Sequence, residues 1–381
     1  MQNNTLVINS GSETLKFRVF DEQLNNVFAG RFDNKNGVHT LTIDGSGEST
    51  ELAKDEDVLQ KLCSLLTNIQ FSKIGFRIVH GGEKFTNPTL LTQEALNELD
   101  KLSPLAPLHN PPTLELIRKF QILFPTIPVY GVFDTSFHQT LSPEEYLYGL
   151  PYEYYEKYRV RRYGFHGISH KYVSSVLRTL ELQANKVVSC HLGSGSSVTA
   201  ILDGKSIDTS MGFTPLEGLI MTTRPGDVDD GAISYIQQCT GLSDAQMLEI
   251  ENKKSGLLGI SGISFDMRTL LSAEASGNAR AHLAIEMFIS RAVKYIGAYI
   301  AGMNGISGLI FTAGIGAGSD QIRERICARL TYAGIKIDKS KNNGQIDVEQ
   351  NLKISDNDSV PIWVIPTNEE LQIAREINAY Q

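Results

Sequence analysis

Three glycine-rich stretches with interleaved hydroxyls are the first candidates for chemistry: Asn9-Ser10-Gly11-Ser12-Glu13-Thr14, His191-Leu192-Gly193-Ser194-Gly195-Ser196-Ser197 and Gly314-Ile315-Gly316-Ala317-Gly318-Ser319. Glycine lets successive backbone N–H groups close on an anion, and small hydroxyls suit phosphate oxygens. None has the GxxxxGK[ST] spacing of a P-loop, and Gly314-Ile315-Gly316 does not complete GxGxxG. A plain tight turn accounts for each stretch taken alone; three at similar strand ends point to phosphate.

Charged residues in unusual company come next. Arg77 sits in Phe76-Arg77-Ile78-Val79-His80-Gly81-Gly82, an apolar strand leading one arginine towards a glycine turn. Arg224, in Thr222-Thr223-Arg224-Pro225-Gly226-Asp227, reads by itself as an exposed turn arginine. In Arg161-Arg162-Tyr163-Gly164-Phe165-His166-Gly167-Ile168-Ser169-His170 the histidines have an i, i+4 metal-ligand spacing. Gly167 argues against helix there and the HExxH glutamate is missing, so a loop histidine offering an N–H to an oxyanion fits better. Asp134 follows the apolar run Val132-Phe133, a place for a polar role or for a turn or cap residue. Asn368 is a credible cap of the last helix, with Glu369 and Glu370 complementing its dipole. A metal-ligand role for Glu369 requires phosphates nearby.

These residues need strands and helices to hold them. Thr5–Ile8 is a β-branched run, and Leu15-Lys16-Phe17-Arg18-Val19-Phe20 alternates, predicting a hairpin about the first glycine stretch. Val187–Cys190 and the alternating Val198, Ala200, Leu202 repeat the design around the second, suggesting a duplicated core with its halves facing across a cleft. Helices are predicted over Thr113–Phe124, after a Ser169 cap, over residues 281–301, from Asp320 and over Asn368–Tyr380. Strands fall at Gly308–Thr312 and Val360–Ile365, so the class is α/β. The polar regions near 33–57 and 338–358 are expected to pack least well.

The chain has 381 residues, 41% of them hydrophobic and 20% charged, which predicts two globular domains. A net charge of −8 argues against nucleic-acid or anionic-membrane partners, which call for clustered cations. Cys63, Cys190, Cys239 and Cys327 lack ligand spacing and read as buried thiols of a reducing compartment. With no leader pattern and no run of roughly 18 apolar residues, a cytoplasmic location is expected.

The pieces resemble, in order and over nearly the whole chain, the acetate/propionate kinase family. The matching segments are LVINSGSETLKF (6–17), FRIVHGGE (76–83), LAPLHNPP (105–112), GVFDTSFH (131–138), RRYGFHGISH (161–170), HLGSGSSV (191–198), MGFTPLEGL (211–219), SGISFDMR (261–268), FTAGIG (311–316) and VIPTNEEL (364–371). The resemblance implies a duplicated RNase H/actin-like fold with ATP between two halves. Residues 1–136 with 369–381 would form the acyl and phosphate side, and 137–368 the nucleotide side. It implies a homodimer and the reaction of ATP with acetate to give ADP and acetyl phosphate, with Mg²⁺ or, in substitution, Mn²⁺.

By the same resemblance, Arg77 binds the carboxylate and steadies the moving phosphoryl, while Arg224 and His166 stabilise its charge. Asp134 positions the nucleophile or the metal water. Asn9 and Glu369 hold Mg²⁺ or its waters, and Lys16 neutralises nucleotide phosphates. His191, Leu192, Gly193, Ser194 and Gly195 cradle phosphates. Asp266, Met267 and Arg268, with Gly314, Ile315, Gly316, Ala317 and Gly318, hold the adenosine. Val79, Leu108, Phe165 and Pro215 line the acyl pocket, where Val79 in place of alanine leans towards acetate and propionate is also accommodated.

Three stretches depart from the family pattern: Ser194 in HLGNG, Thr222 and Pro225 in GTRSGD, Ala317 and Gly318 in AGIGENS. All fall on the expected nucleotide side and leave the transfer residues intact. The alternatives are a propionate or butyrate kinase, a sugar or glycerol kinase of the same superfamily, a pyrophosphate-dependent variant and a non-catalytic nucleotide-binding regulator. The apolar pocket speaks against the sugar kinase. The regulator would be expected to have lost Arg77, Asp134, His166 or Arg224, all present.

Overall fold

Leu6, Val7 and Ile8 are each fully buried, as a strand covered on both faces must be. In the computed structural model, which describes residues 3–11, 14–35, 37–53, 56–342 and 350–380, this run is the middle strand of an eight-stranded sheet. Ser12 and Glu13 of the first glycine stretch lie outside the described residues. The chain divides into two compact units, Met1–Ser136 with Asn368–Gln381, and Phe137–Thr367.

The first unit's strands are β1 (Thr5–Ser10), β2 (Thr14–Phe20), β3 (Asn26–Lys35), β4 (Val38–Ile43), β5 (Ser49–Glu51), β6 (Lys73–Ile78), β7 (Thr89–Leu90) and β8 (Val129–Phe133). Their order is β5-β4-β3-β2-β1-β6-β8-β7. β1 to β3 form an antiparallel meander, and β6 and β8 continue from β1 in parallel. One face packs Leu6, Ile8, Phe17, Ile74 and Phe76 with Leu114, Ile117 and Phe120 of the helix Asn110–Leu123. The helix Glu369–Ala379 crosses β1 and β6 with Ile373, Ala374 and Ile377 buried.

The second unit repeats the plan. β9 (Lys186–Leu192), β10 (Ser196–Leu202), β11 (Lys205–Thr209), β12 (Gly308–Thr312), β13 (Leu352–Lys353) and β14 (Ile362–Val364) form a sheet of order β11-β10-β9-β12-β14-β13. Again an antiparallel hairpin leads into two parallel strands. Alternation assigns the faces. Val187, Ile201 and Ile310 meet Val173 and Leu177 of the helix Gly167–Leu180. Val188, Ala200, Leu309 and Phe311 meet Ile285, Phe288 and Ile289 of the helix Ala279–Gly302. Two mixed sheets with the same inner strand order and helices on their faces are the duplicated actin-like fold expected above.

Several local expectations change. Gly167 does begin a helix, capped by His166 rather than by Ser169. The residues after β12 form a short helix, Ala313–Gly318, not a turn, and the next helix starts at Asp320. Cys239 is exposed and Cys63 half-buried, so only Cys190 and Cys327 are buried thiols. The 33–57 region contributes β4, β5 and the buried Leu41 and Leu52. Residues 343–349 lie outside the described residues. Among the described residues no helix is long and apolar enough to cross a membrane.

Candidate active site

In the first unit, β1, β6 and β8 end side by side and deliver Asn9, Arg77 and Asp134 to one polar cluster. Arg77 Nε donates to both Asp134 oxygens at 3.0 and 3.1 Å, and Nη2 donates to Oδ2 at 2.6 Å. Its Nη1 donates to Asn9 Oδ1 at 3.1 Å and lies 3.8 Å from Glu369 Oε2. Asn9 turns its amide nitrogen to Glu369 Oε2 (2.9 Å) and Glu370 Oε1 (2.7 Å). Both glutamates start the last helix, whose cap is Asn368 accepting from the Leu371 N–H. Burial works against the Arg77 charge, but Asp134, Glu369 and Glu370 outweigh it and push its pKa up. Burial raises the Asp134 carboxyl, against the lowering effect of Arg77.

Three largely buried carboxylates thus share one guanidinium. The residual negative charge and the all-oxygen donors of Asn9, Glu369 and Glu370 suit a hard divalent cation. Among the described residues no cluster of three or more His, Cys, Asp or Glu forms a metal cage. Lys16 is exposed and stands opposite Asn9 in the β1–β2 register, on the same face. Val79 is buried, whereas Leu108 is 54% exposed.

In the second unit the β9–β10 hairpin turn, Gly193-Ser194-Gly195, is the hub. A Cβ placed on Gly195 would lie 3.1 Å from His166 Nε2 and 3.4 Å from an Arg224 terminal nitrogen. Only glycine leaves this turn backbone, imidazole and guanidinium bordering one small space. His166 has φ of 56°, a left-handed conformation unusual for a residue with a side chain, and such strain persists where surrounding structure enforces it. Its Nδ1 meets Ser197 Oγ at 2.9 Å, and its ring stacks on His191 at 4.2 Å between centroids. His191 Nδ1 in turn meets Ser169 Oγ at 2.8 Å, and Ser169, the third residue of its helix, stands inside the cap position rather than at it.

The preceding residues are held as firmly. His138 places Nε2 3.0 Å from the Phe165 carbonyl and Nδ1 2.8 Å from Ser206 Oγ. A carbonyl only accepts, so Nε2 carries the proton. Burial pushes the His138 pKa down to about 4. Gly164, at φ 72°, passes so close that a Cβ would lie 2.4 Å from Thr209 and 2.8 Å from the His138 ring.

Arg224 is not the exposed turn residue its local sequence suggests. It is half-buried, donates through Nη1 to the Pro215 carbonyl at 2.9 Å, and has its pKa lowered by burial. Its backbone is clamped by the start of the helix Gly256–Ser261: Ser255 and Leu257 donate to the Thr223 and Met221 carbonyls. Thr222 Oγ1 lies 3.1 Å from both Ser194 Oγ and the Ser194 carbonyl. Two of the departures from the family pattern, Ser194 and Thr222, are therefore partners, joining the Arg224 loop to the glycine turn.

The short helix Ala313–Gly318 lies against that turn: a Cβ on Gly193 would come within 3.4 Å of Ala313 Cβ. Arg323, fully buried, donates to the Gly316 and Ala317 carbonyls at 3.0 and 2.7 Å and to Asn342 at 2.8 Å. Sequence reasoning missed it, and read Glu370 only as a helix-dipole partner and Ser169 only as a helix cap, not for their tertiary contacts to Asn9 and His191. Asp266 caps the helix Met267–Ala275 and pairs with the exposed Arg268 at 2.6 Å; Met267 is buried in the core. Within each unit the structure therefore groups Asn9, Arg77, Asp134 and Glu369, and separately His166, His191–Gly195, Arg224 and Ala313–Gly318.

A duplicated actin-like fold with a cation-ready carboxylate cluster and a glycine turn flanked by histidine and arginine defines a phosphotransferase-type protein. The acetokinase family profile matches residues 4–375, and the chain belongs to that family, phosphotransferases with a carboxyl group as acceptor. It is 44% identical to an acetate kinase of Agathobacter rectalis, covering 98% of each chain. Among solved structures, an acetate kinase of Porphyromonas gingivalis is 37% identical with a TM-score of 0.89. A propionate kinase of Francisella tularensis is 38% identical with a TM-score of 0.92. Each solved chain is 98% covered by 98% of this one.

Proposed function

We propose that this protein is an acetate kinase, reversibly transferring the γ-phosphoryl of ATP to acetate to give acetyl phosphate and ADP, and that it also uses propionate. In an acetokinase-family chain, the observation that carries this reading is the convergence of His166 and Arg224 on the Gly193–Gly195 turn. An imidazole and a guanidinium brought beside a glycine turn suit an anion in transfer.

The carboxylate oxygen attacks the γ-phosphorus while its bond to the bridging oxygen breaks and ADP departs. Acetate is ionised near neutral pH, so no general base is required. The protein supplies positioning and charge. Arg77 binds the acyl carboxylate and steadies the phosphoryl, held in aim by Asp134, whose bidentate grip orients rather than accepts a proton. Arg224 and the His166 Nε2–H stabilise charge on the equatorial oxygens. Lys16 offsets nucleotide charge, the 193–195 turn cradles phosphates, and Asp266–Arg268 with Gly314–Gly318 contact the nucleoside. Asn9 and Glu369, joined by Glu370, would hold Mg²⁺ directly or through its waters. When bound, that ion neutralises phosphate charge. Val79, Leu108, Phe165 and Pro215 are the residues proposed to set the size of the acyl group. We also propose that the molecule works as a homodimer in the cytoplasm.

The test is acyl hydroxamate formation from ATP, Mg²⁺ and acetate, repeated with propionate, butyrate and pyrophosphate in place of ATP. Hydroxamate with acetate, at higher kcat/KM than with propionate, supports the reading. Propionate preference would make it a propionate kinase, product with pyrophosphate alone would move the donor, and no product from any mixture would overturn the kinase reading.

A further inference from the structure

The chain of polar contacts behind His166 does not stop at Ser197. Ser197 Oγ lies 2.8 Å from His170 Nε2, and His170 Nδ1 lies 2.9 Å from Ser189 Oγ. Ser197, His170 and Ser189 are all completely buried. His166 and His170 are one turn apart at the start of the helix Gly167–Leu180, joined by the backbone bond from His170 N to His166 O. Ser197 and Ser189 come from the adjacent strands β10 and β9. The series His166–Ser197–His170–Ser189 is thus mounted on three regular elements rather than on mobile loops.

A serine hydroxyl has a single proton. If Ser197 donates it to one imidazole, it can only accept from the other, so the tautomers of the two rings are tied together. In one arrangement Ser197 donates to His166 Nδ1. A neutral His166 then carries its proton on Nε2, His170 donates its own Nε2–H to Ser197, and Ser189 donates to His170 Nδ1. In the opposite arrangement a neutral His166 would turn a bare Nε2 lone pair towards an anion, which repels it.

We infer that Ser197 and His170 form a hydroxyl–imidazole relay that fixes His166 as its Nε2–H tautomer, making both of them positioning residues for phosphoryl transfer. The inference rests on the reading of His166 as a donor to the phosphoryl group. Burial holds His170 neutral, with the neighbouring His138 and His191 rings reinforcing the effect, so the relay passes orientation and not charge. Around it stand His191 stacked on His166, His138 with its centroid 6.0 Å from that of His170, and Arg224 beside Gly195.

Ser197→Ala removes the hydroxyl with little change of volume. His170→Phe removes the donor while filling the space, and His170→Gln keeps an amide N–H near the Nε2 position. The relay predicts that Ser197→Ala and His170→Phe each lower kcat about 10–100-fold with KM for ATP and acetate within about twofold of wild type. His170→Gln should recover most of that loss. The double variant Ser197→Ala/His170→Phe should be no slower than the slower single, because both cut one chain. Two-bond ¹H–¹⁵N correlation on histidine-labelled protein reads the tautomer directly, with the His166 signals identified by their disappearance in His166→Ala. The wild type should show Nε2–H, and Ser197→Ala an Nδ1–H or mixed pattern. An unchanged tautomer in Ser197→Ala, or a kcat within about twofold of wild type, overturns the relay. If His166→Ala itself stays fully active, the catalytic reading of His166 fails, while the tautomer pattern still decides whether the relay exists.

Discussion

The two units place polar sites at the same point of the same fold, after the central strand of each sheet, and charge them oppositely. At the end of β1, Asn9 joins three carboxylates and one arginine, a cluster left negative. After β9, the glycine turn gathers two stacked histidines and an arginine that donates to the Pro215 carbonyl. Duplication supplied the scaffold twice, and side-chain chemistry divided the labour. On the reading proposed above, one copy takes the divalent cation and aims Arg77, and the other takes the anion in flight.

The comparison is broken most easily at Arg224. If the second site acts as an anion stabiliser, Arg224→Ala should lower kcat about 10³-fold, the scale of losing an oriented charged donor. Far-ultraviolet circular dichroism and the melting temperature should change little, because its backbone clamp to Ser255 and Leu257 uses main-chain groups. A kcat within about tenfold of wild type would remove Arg224 from the transfer site.

The second difference is in response to acid. Burial keeps two rings beside the histidine-rich site neutral, His170 and His138, with His138 held at about 4. The unfolded chain binds a proton at His138 as pH falls below its ordinary value near 6.5, while the folded chain does not until about 4. More protons bound in the unfolded state means stability falls as pH falls across that window, by about 3 kcal/mol for this one ring. His138→Gln, which can still donate to the Phe165 carbonyl, should flatten the dependence of unfolding free energy on pH between 6.5 and 4. An unaltered slope would place the acid sensitivity elsewhere.

How much of this was legible follows from how local each feature is. The hairpins were readable because alternation and glycine turns are local, and the helix Ala279–Gly302 because its apolar period is unbroken. Ala313–Gly318 reads locally as a turn because three of its six residues are glycine, which disfavours helix. Arg323, donating to the Gly316 and Ala317 carbonyls from seven and six residues away, is a support that no local pattern announces. Arg77 and Asp134 were visible as charges ending apolar strands. Glu370 was hidden because the helix dipole already explained it, although Asn9, 361 residues away, is its partner. Arg224 looked exposed for the same reason, since the Gly256–Ser261 helix that encloses it lies more than 30 residues downstream. Ser189 and Ser197 are ordinary strand serines until His170 is seen between them.

The carboxylate-rich site is sharpened through its cation. Asn9→Ala removes the amide that spaces Glu369 and Glu370, and Glu370→Gln removes one negative charge. Both should raise the Mg²⁺ concentration for half-maximal activity about tenfold, within the range for losing a group that orients a ligand. KM for acetate should move less, since Arg77 keeps its three contacts to Asp134. Equal losses in Mg²⁺ dependence and acetate KM would mean that the cluster acts as one acyl-binding unit, and the contrast between the sites would weaken.

The smallest effect expected is the most specific. Val79 is buried just beyond β6, two residues after Arg77, so its methyls belong to the same region that aims the carboxylate. Trimming it to alanine adds room for about one methylene, worth about 1–3 kcal/mol of discrimination in an apolar pocket. Val79→Ala should therefore raise the ratio of kcat/KM for propionate over acetate about tenfold while leaving kcat with acetate near its starting value. Because the change touches no charge, it should leave the Mg²⁺ requirement where it was, separating acyl size from cation binding within the first unit. An unchanged propionate-to-acetate ratio would take Val79 out of the acyl pocket and leave chain-length choice to the other residues proposed for it.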